Sequence, residues 1–201
     1  RFSYASEIFE RNLFEICELN SEPKNPLNDL NNTRNTQICL FLVESILLDT
    51  LKVNGLKPTY VAGHSLGEIT ALYSSSVLGF EESLRLIQKR AESMDLAGKI
   101  NPGGMIALIN ASENQVNFIL KKTALSIANI NSPKQIILSG DIESIENSIT
   151  LCKENKIKAL KLPVSGAFHS SLMLKSSEAL LKTINDLNFK DAIIPIYQNY
   201  S

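Results

Sequence analysis

A serine between two glycines constrains the fold of this chain more than any other feature. The pattern Gly63-His64-Ser65-Leu66-Gly67 follows a short apolar run and leads into residues with helical periodicity. Where a strand turns sharply into a helix, the Ser65 hydroxyl stands clear of the backbone, and the Leu66 N–H faces the same reacting carbonyl. We expect Gly63 and Gly67 to be glycines because a Cβ at either position would collide with the neighbouring strand or helix. The pattern predicts a nucleophile elbow in an α/β fold. The alternative is a glycine-bounded turn with an incidental serine.

The composition is that of a globular chain. With 201 residues, 44% of them hydrophobic, it can bury the core of one large domain or two small ones. A formal charge of −1 gives no reason to expect nucleic acid or a membrane as a partner, and no apolar run is long enough to span a bilayer. Cys17, Cys39 and Cys152 lack CxxC spacing, which indicates reduced core thiols of an intracellular protein.

Changes of periodicity predict a small domain inserted into a larger one. Residues 104–164 read as strand, helix, strand, strand, helix and strand, the βαββαβ order of a ferredoxin-like fold. The predicted elements cover residues 105–110, 112–122, 124–131, 135–139, 142–155 and 157–163. Residues 1–103 and 165–201 are predicted to form a discontinuous, hydrolase-like core with a parallel sheet. The Asn-Pro-Gly-Gly segment at 101–104 is the predicted linker.

The larger domain is predicted from helical patterns and their end signals. Ala5, Ile8, Phe9, Leu13 and Ile16 fall on one face of a first helix. A loop over 21–35 precedes a long helix that we expect to be capped by Thr36 and stopped by Gly55. A last helix over 171–186 and a strand over 192–197 complete the pattern. Because the chain begins inside a helix and ends on a strand, we expect it to be truncated at both ends.

An arginine on an apolar helix face is the second informative feature. In the helix after Gly79, Arg90 falls within the arc that contains Leu86, Ile87 and Ala91. A guanidinium on a buried face is costly unless an anion meets it. Arg90 is therefore a candidate anion-binding residue. The alternatives are a side chain that reaches out to solvent and a structural ion pair with a core carboxylate.

The chain has two histidines, and they receive different predictions. His169 lies on a loop of small residues at the start of a helix, which makes it the candidate general base for Ser65. His64 precedes the serine, so its side chain is expected to leave the strand on the opposite side and to pack structurally.

Four motifs in this order resemble a known family. They are Gly63-His64-Ser65-Leu66-Gly67-Glu68, Gln88-Lys89-Arg90, Asn129-Ile130-Asn131-Ser132-Pro133 with Gln135, and Gly166-Ala167-Phe168-His169-Ser170. Together they resemble the malonyl-CoA:acyl-carrier-protein transacylases of fatty-acid synthesis and the acyltransferase domains of polyketide synthases. The resemblance runs through essentially the whole chain.

The resemblance implies a ping-pong transfer without a cofactor or a metal. Ser65 would attack the thioester of malonyl-CoA while His169 takes its proton, and the phosphopantetheine thiol of the carrier protein would then attack the malonyl ester. Arg90 would pair with the free malonyl carboxylate. The implied enzyme is an [acyl-carrier-protein] S-malonyltransferase.

The resemblance also implies further substrate-binding residues. Leu66 and Phe168 match the malonyl-selective form of their motifs, and Phe168 would crowd a methylmalonyl branch. Gln37 matches a position near the acyl group, although Ile38 replaces the usual proline, and Asn131 matches an asparagine near the active site. The family's Gly-Gln-Gly-Ser loop, which supplies the second oxyanion N–H, and its histidine-orienting carbonyl do not occur in residues 1–201.

One basic cluster suggests where the carrier protein docks. Lys153, Lys156, Lys158 and Lys161 lie in the inserted domain, and carrier proteins of this family are acidic. The alternative is an ordinary solvated face. The expected protein is a monomer in the cytoplasm, or in a plastid, that binds neither nucleic acid nor membrane.

Two other functions fit parts of the sequence. A serine esterase or thioesterase would need an acid between serine and histidine in the chain, such as Asp141. A carrier-binding module without catalysis, or an inactive fragment, is the alternative of another class.

Overall fold

The computed structural model describes residues 1–18 and 29–200, whose contacts define two compact units. The first combines Arg1–Ala91 with Leu180–Ser201, and the second comprises Glu92–Ala179. The domain boundaries expected at 103/104 and 164/165 stay a prediction. Residues 21–28 of the predicted loop lie outside the described residues.

Helices and strands alternate along much of the chain, which makes this an α/β protein. In order they are α1 (Phe2–Phe9), α2 (Leu13–Glu18), α3 (Thr33–Val53), β1 (Val61–Ala62), α4 (Gly67–Ser74), α5 (Phe80–Ile100), β2 (Gly103–Ile109), α6 (Glu113–Lys122), β3 (Ser126–Ser132), β4 (Gln135–Asp141), α7 (Ile142–Glu154), β5 (Lys158–Lys161), a 3₁₀ turn (Ser171–Met173), α8 (Leu174–Asn185) and β6 (Ile196–Tyr197).

The core of the first unit is built mainly by helices. β1 and β6 pair in parallel, with Val61 opposite Ile196. Helices α2, α3 and α5 contribute most of the buried side chains because their apolar residues recur at helical spacing. The fully buried ones are Leu13, Ile16, Ile38, Phe41, Leu42, Leu84 and Ile87. This core supports β1, α4 and α5, which carry the candidate site.

Two predicted helix boundaries of the first unit were wrong. The single first helix is two helices, because Glu10 adopts a left-handed conformation with φ 51° and ends α1. Asn32, not Thr36, caps α3: its side chain accepts the N–H of Arg34 at 3.0 Å. Thr36 lies inside the first turns of α3, where its hydroxyl donates to the Asn32 carbonyl. The periodicity revealed the buried face, whereas the ends depended on individual capping contacts.

The second unit contains a four-stranded antiparallel sheet in the order β3-β4-β2-β5. Helix α6 connects β2 to β3, and α7 connects β4 to β5. Each predicted element of residues 105–163 is present within a few residues of its expected position. The helix starts are well defined, since Ser112 forms a capping box with Gln115 and the Asp141 side chain caps α7.

The sheet of the second unit buries side chains on both faces. One face packs against α6 and α7, and the cluster between them contains Ile106, Leu108 and Leu138 of the sheet and Val116, Ile119 and Ile145 of the helices. The other contains Met105, Ala107 and Ile137, against which Val164 and Phe168 pack. The near-continuous burial of β2 explains its unbroken apolar run in the sequence.

The predicted glycine linker is not a linker. Gly103 and Gly104 are buried and begin β2. A Cβ on Gly103 would lie 2.5 Å from the Gly140 carbonyl oxygen and 2.6 Å from the Ala167 Cβ. Close approach of neighbouring segments therefore explains this glycine, and flexibility does not.

The two last elements of the chain are shorter than predicted. The helix expected over 171–186 begins as the 3₁₀ turn and becomes α-helical only at Leu174. The strand expected over 192–197 is confined to Ile196 and Tyr197.

The three cysteines are free thiols, with Cys39 and Cys152 buried and Cys17 partly buried. Burial and a hydrogen bond with Cys17 raise the pKa of Cys39 to about 12, so this thiol stays protonated at neutral pH. Among the described residues, no helix is both long enough and apolar enough to cross a membrane.

Candidate active site

Ser65 lies at the turn between β1 and α4 in a left-handed backbone conformation, with φ 54°. A Cβ on Gly63 would lie 1.9 Å from the carbonyl carbon and oxygen of Gly67, so position 63 requires glycine. The same prediction for Gly67 was wrong, because a Cβ there would meet nothing within 4 Å. The backbone of Gly67 fills the space where a side chain of residue 63 would lie, so a side chain is excluded at position 63 but not at position 67.

Backbone hydrogen bonds close the turn and leave one N–H available. Gly67 donates to the His64 carbonyl at 3.0 Å, and Glu68 donates to the Ser65 carbonyl at 3.3 Å. The N–H of Leu66, at the N-terminal end of α4, has no acceptor within the described part of the chain. It can therefore bond an anionic oxygen beside Ser65, where the helix dipole also favours negative charge.

Arg90 connects Ser65 to the long helix α3. Its Nη2 donates to the Ser65 Oγ at 2.9 Å, and its Nη1 donates to the Oε1 of Gln37. Gln37 is buried, and its Nε2 donates to the Thr33 hydroxyl at 2.8 Å. The structure thus brings together three of the predicted site residues, Ser65, Arg90 and Gln37.

The electrostatic state of Arg90 follows from its burial. Removal from water lowers the pKa of Arg90 from its usual value, while the negative charge of Glu68 acts in the opposite direction. Neighbouring Arg85 and Lys89 are exposed, in contrast to Arg90. A partly desolvated cation is a strong partner for a carboxylate, because the surrounding medium screens the attraction less than water does.

The remaining predicted site residues have different environments. Leu66 belongs to the first unit and is buried. In the second unit, His169 is exposed at a turn with φ 61°, and Phe168 packs against the Met105 cluster described above. Asn131 is exposed at the end of β3, where its Nδ2 donates to the Gln135 side chain at 3.0 Å.

The prediction for His64 was wrong. Its side chain is exposed instead of packed, and it lines a cavity of about 360 Å³ together with Glu44, Val61 and Thr70.

Asp141 and the four lysines have local partners or solvent around them. Both carboxylate oxygens of Asp141 accept bonds from Ser144, one from the backbone N–H and one from the hydroxyl, each at 2.8 Å. These bonds lower the pKa of Asp141. Asp141 is therefore used as a helix cap, which leaves the hydrolase alternative without evidence for its acid. The lysines at 153, 156, 158 and 161 are exposed, and Lys161 pairs with Glu146.

The sequence reasoning missed Asn199. Its Nδ2 donates to the Gly63 carbonyl and to Glu68 Oε2, each at 2.8 Å, and its Oδ1 accepts the N–H of Ser65 at 3.4 Å. A signal was available, since Asn199 lies two residues beyond the predicted last strand and the carboxyl ends of parallel strands lie at one edge of a sheet.

The fold and the site define an α/β protein that presents a serine hydroxyl at a strand-to-helix turn, bonded to a partly buried arginine. Residues 12–201 match the family described as acyl transferase domain. The chain belongs to this family, which confirms the resemblance seen in its motifs.

Curated relatives extend the comparison. The chain is 37% identical over 200 residues to a malonyl CoA-acyl carrier protein transacylase of Synechocystis, covering 99% of this chain and 64% of the relative. It is 37% identical over 201 residues to the Bacillus subtilis polyketide biosynthesis transacylase PksC, covering 97% of this chain and 67% of the relative.

Solved structures give the same result for the fold. The crystal structure of the Synechocystis malonyl-CoA:ACP transacylase superposes with a TM-score of 0.84 at 36% identity and covers 97% of this chain and 63% of its own. The Coxiella burnetii transacylase superposes with a TM-score of 0.86 at 29% identity and covers 97% and 62%. The chain thus spans somewhat less than two thirds of the length of these two structures.

Proposed function

We propose that the protein transfers the malonyl group from malonyl-CoA to the phosphopantetheine thiol of acyl carrier protein through a malonyl-Ser65 ester. Malonyl transfer is the activity in the names of its Synechocystis and Bacillus relatives. The observation that carries the proposal is the hydrogen bond from the partly desolvated guanidinium of Arg90 to the Ser65 hydroxyl. A fixed cation at the reacting oxygen suits an acyl group that ends in a carboxylate.

The first half-reaction forms the ester. The Ser65 turn acts as a nucleophile elbow, a role supported by its left-handed backbone and by the contact that excludes a side chain at Gly63. Ser65 Oγ attacks the thioester carbonyl, and His169 takes the hydroxyl proton and returns it to the departing CoA sulfur. The Leu66 N–H stabilises the oxyanion that forms between these steps.

In the second half-reaction, the malonyl group passes from Ser65 to the carrier protein. His169 deprotonates the phosphopantetheine thiol, whose sulfur attacks the malonyl ester, and the proton then returns to Ser65 Oγ. One acyl–oxygen bond breaks and one acyl–sulfur bond forms, so no cofactor or metal takes part.

Arg90 provides the selectivity. Its planar fork pairs with the malonyl carboxylate, while Gln37 holds the fork from the α3 side. The carboxylate competes with Ser65 for Nη2 and thereby releases the hydroxyl for attack. Acetyl-CoA leaves the buried cation without a carboxylate, a loss of several kcal/mol.

The remaining residues of this proposal, His169, Phe168 and Asn131, belong to the second unit. Its antiparallel order β3-β4-β2-β5, with two connecting helices, supports a ferredoxin-like subdomain. Phe168 limits the space beside the acyl group and disfavours a methylmalonyl branch, and Asn131 contacts the substrate. The enzyme works as a monomer in the cytoplasm.

The test is acylation of the full protein by malonyl-CoA, acetyl-CoA and methylmalonyl-CoA, followed as covalent adduct on Ser65. Arg90→Ala should slow malonyl transfer by about 10²- to 10³-fold and change acetyl transfer by only a few-fold. Arg85→Ala is the matched control, since this exposed arginine of α5 forms a surface ion pair with Asp186 at 3.7 Å. Equal losses for both substrates in Arg90→Ala would contradict the assigned role.

The exposed lysine cluster is proposed as the carrier-protein contact. Reversal of charge at Lys156 and Lys158 should weaken transfer to an acidic carrier protein most at low salt, because salt screens exposed charges. The exposed pair Lys121 and Lys122 of α6 is the matched control. An unchanged KM for the carrier protein at low salt would remove this contact from the proposal.

A polyketide carrier is the second candidate acceptor, favoured by the 37% identity to PksC. Transfer rates to a fatty-acid carrier protein and to a polyketide carrier protein, measured side by side, decide between the two pathways.

A further inference from the structure

The side chain of Asn199 takes the place of a strand beside the Ser65 turn. The parallel pairing of β1 and β6 stops after Ala62 and Tyr197. Beyond that point the Asn199 amide donates to the Gly63 carbonyl at 2.8 Å and accepts the Ser65 N–H at 3.4 Å. A neighbouring strand would bond these same two backbone groups. The amide therefore extends the sheet by one step to the residue where the chain turns.

Glu68 fixes Asn199 from the other side. Its Oε1 accepts the backbone N–H of Asn199 at 3.1 Å, and its Oε2 accepts the side-chain amide at 2.8 Å. The backbone N–H of Glu68 in turn donates to the Ser65 carbonyl at 3.3 Å. Both backbone polar groups of Ser65 are thus bonded within one closed set of contacts.

The conformation of Ser65 needs such support. A serine with φ 54° lies in a region that residues other than glycine rarely adopt, and this conformation persists only where several contacts determine it. If the turn relaxed, the hydroxyl would move away from Arg90 and from the Leu66 N–H.

We propose that Asn199, held by Glu68, is a positioning residue that keeps Ser65 in its reactive left-handed conformation. Asn199 acts through the backbone of Ser65 and does not touch the acyl group. The inference rests on the proposed function for the identity of the substrate, but the geometric claim concerns Ser65 alone.

The experiment therefore uses two probes of Ser65 in the full protein. A fluorophosphonate, which reacts with activated serines irrespective of acyl preference, reports nucleophilicity, and malonyl-CoA reports transfer. Asn199→Ala should lower both rate constants by about 10- to 100-fold, the size expected of a misplaced reacting atom, with the KM for malonyl-CoA within about threefold. The neighbouring exposed Gln198→Ala is the control and should label as the wild type does.

The final fraction of labelled protein distinguishes a variant with a misplaced Ser65 from a variant that is partly unfolded. A variant that partly unfolds labels a smaller final fraction, whereas a misplaced Ser65 labels completely but slowly. Asn199→Asp keeps the shape and the acceptor but loses both donated bonds, so it should also label slowly to full amplitude. A wild-type rate constant in Asn199→Asp or in Asn199→Ala overturns the proposal.

Glu68→Gln tests the second contact. For the contact through Asn199, the double variant with Asn199→Ala should react with the fluorophosphonate no more slowly than Asn199→Ala alone. The charge of Glu68 also acts on Arg90, so malonyl transfer is not used for this comparison. Multiplied losses would overturn the role of Glu68. If the wild type labels faster with the fluorophosphonate than the Asn199 variants and yet forms no malonyl adduct, the proposed function fails while the positioning role stands.

Discussion

Ser65 and His169 share an unusual backbone conformation, but the two turns are held in different ways. Their φ angles are 54° and 61°, in a region that residues other than glycine rarely adopt. The Ser65 turn is bonded by Asn199, which lies 134 positions further along the chain. At the His169 turn, the backbone N–H and the hydroxyl of Ser170 both donate to the Ala167 carbonyl, and the same hydroxyl accepts the Leu172 N–H.

The difference shows that two turns with the same unusual backbone conformation can be supported by different kinds of contact. A turn supported by neighbours in sequence forms wherever its own residues allow it. A turn supported by a distant side chain forms only when the whole unit has folded. We therefore expect the bonds from Asn199 to the Ser65 turn to depend on tertiary structure, and the bonds that Ser170 makes at the His169 turn to form locally.

The largest expected effect comes from removing the two side chains themselves. Ser65→Ala should abolish the covalent malonyl adduct, because no other group supplies the attacking oxygen. His169→Ala should still form the adduct, about 10²- to 10⁴-fold more slowly, because it removes only the proton transfer. Mass spectrometry of the intact protein, sampled over time, measures both. A malonyl adduct on Ser65→Ala would contradict the assignment of the nucleophile.

A smaller effect is expected when the glycine near each of the two turns is replaced by alanine. In Gly63→Ala the new Cβ meets backbone atoms at 1.9 Å, whereas in Gly166→Ala it meets the edge of the Phe168 ring at 3.1 Å. Backbone cannot move as readily as a side chain, so we expect Gly63→Ala to lose about 3 kcal/mol or more of unfolding free energy and Gly166→Ala about 1.

Urea unfolding measures the free energy of unfolding of Gly63→Ala and Gly166→Ala, with Gly67→Ala as the control. A Cβ at position 67 meets nothing within 4 Å, so this substitution should be nearly neutral. If Gly166→Ala proved as damaging as Gly63→Ala, the proposed contrast between the two turns would be wrong.

The smallest effect concerns Asp141, the acid of the hydrolase alternative. Asp141→Asn should leave malonyl transfer within about twofold and change stability by less than about 1 kcal/mol at neutral pH, because asparagine is also a good N-cap. A loss of activity of several orders of magnitude would instead indicate a hydrolase triad.

The pH dependence of stability adds a second measurement on Asp141. Bonds from Ser144 lower the pKa of Asp141, so its contribution is present above the ordinary carboxyl pKa and is lost as pH falls through the lowered value in the folded state. Asp141→Asn should therefore unfold with a shallower dependence on pH in acid. The measurement is the slope of the unfolding free energy against pH, below about pH 4, in the wild type and in Asp141→Asn.

Much of the fold could be predicted because it depends on local patterns. The strand and helix order of residues 105–163 follows from changes of period, and the partial burial of Arg90 follows from its place in a helical arc. Helix ends were less predictable: Glu10 interrupts a continuous apolar face, and Asn32 competes with Thr36 as a cap. Such choices are decided by single contacts that carry no periodic signal.

By itself, the sequence predicted where the chain turns at Ser65, the strand and helix order of residues 105–163, and the family. Only the tertiary structure decided that Gln37 holds Arg90, that Gly103 begins a buried strand and that Asn199 bonds the Ser65 turn. Periodicity specifies which face of an element is buried. The partner that meets that face depends on the register and packing of segments far apart in the chain, and these form only when the chain has folded.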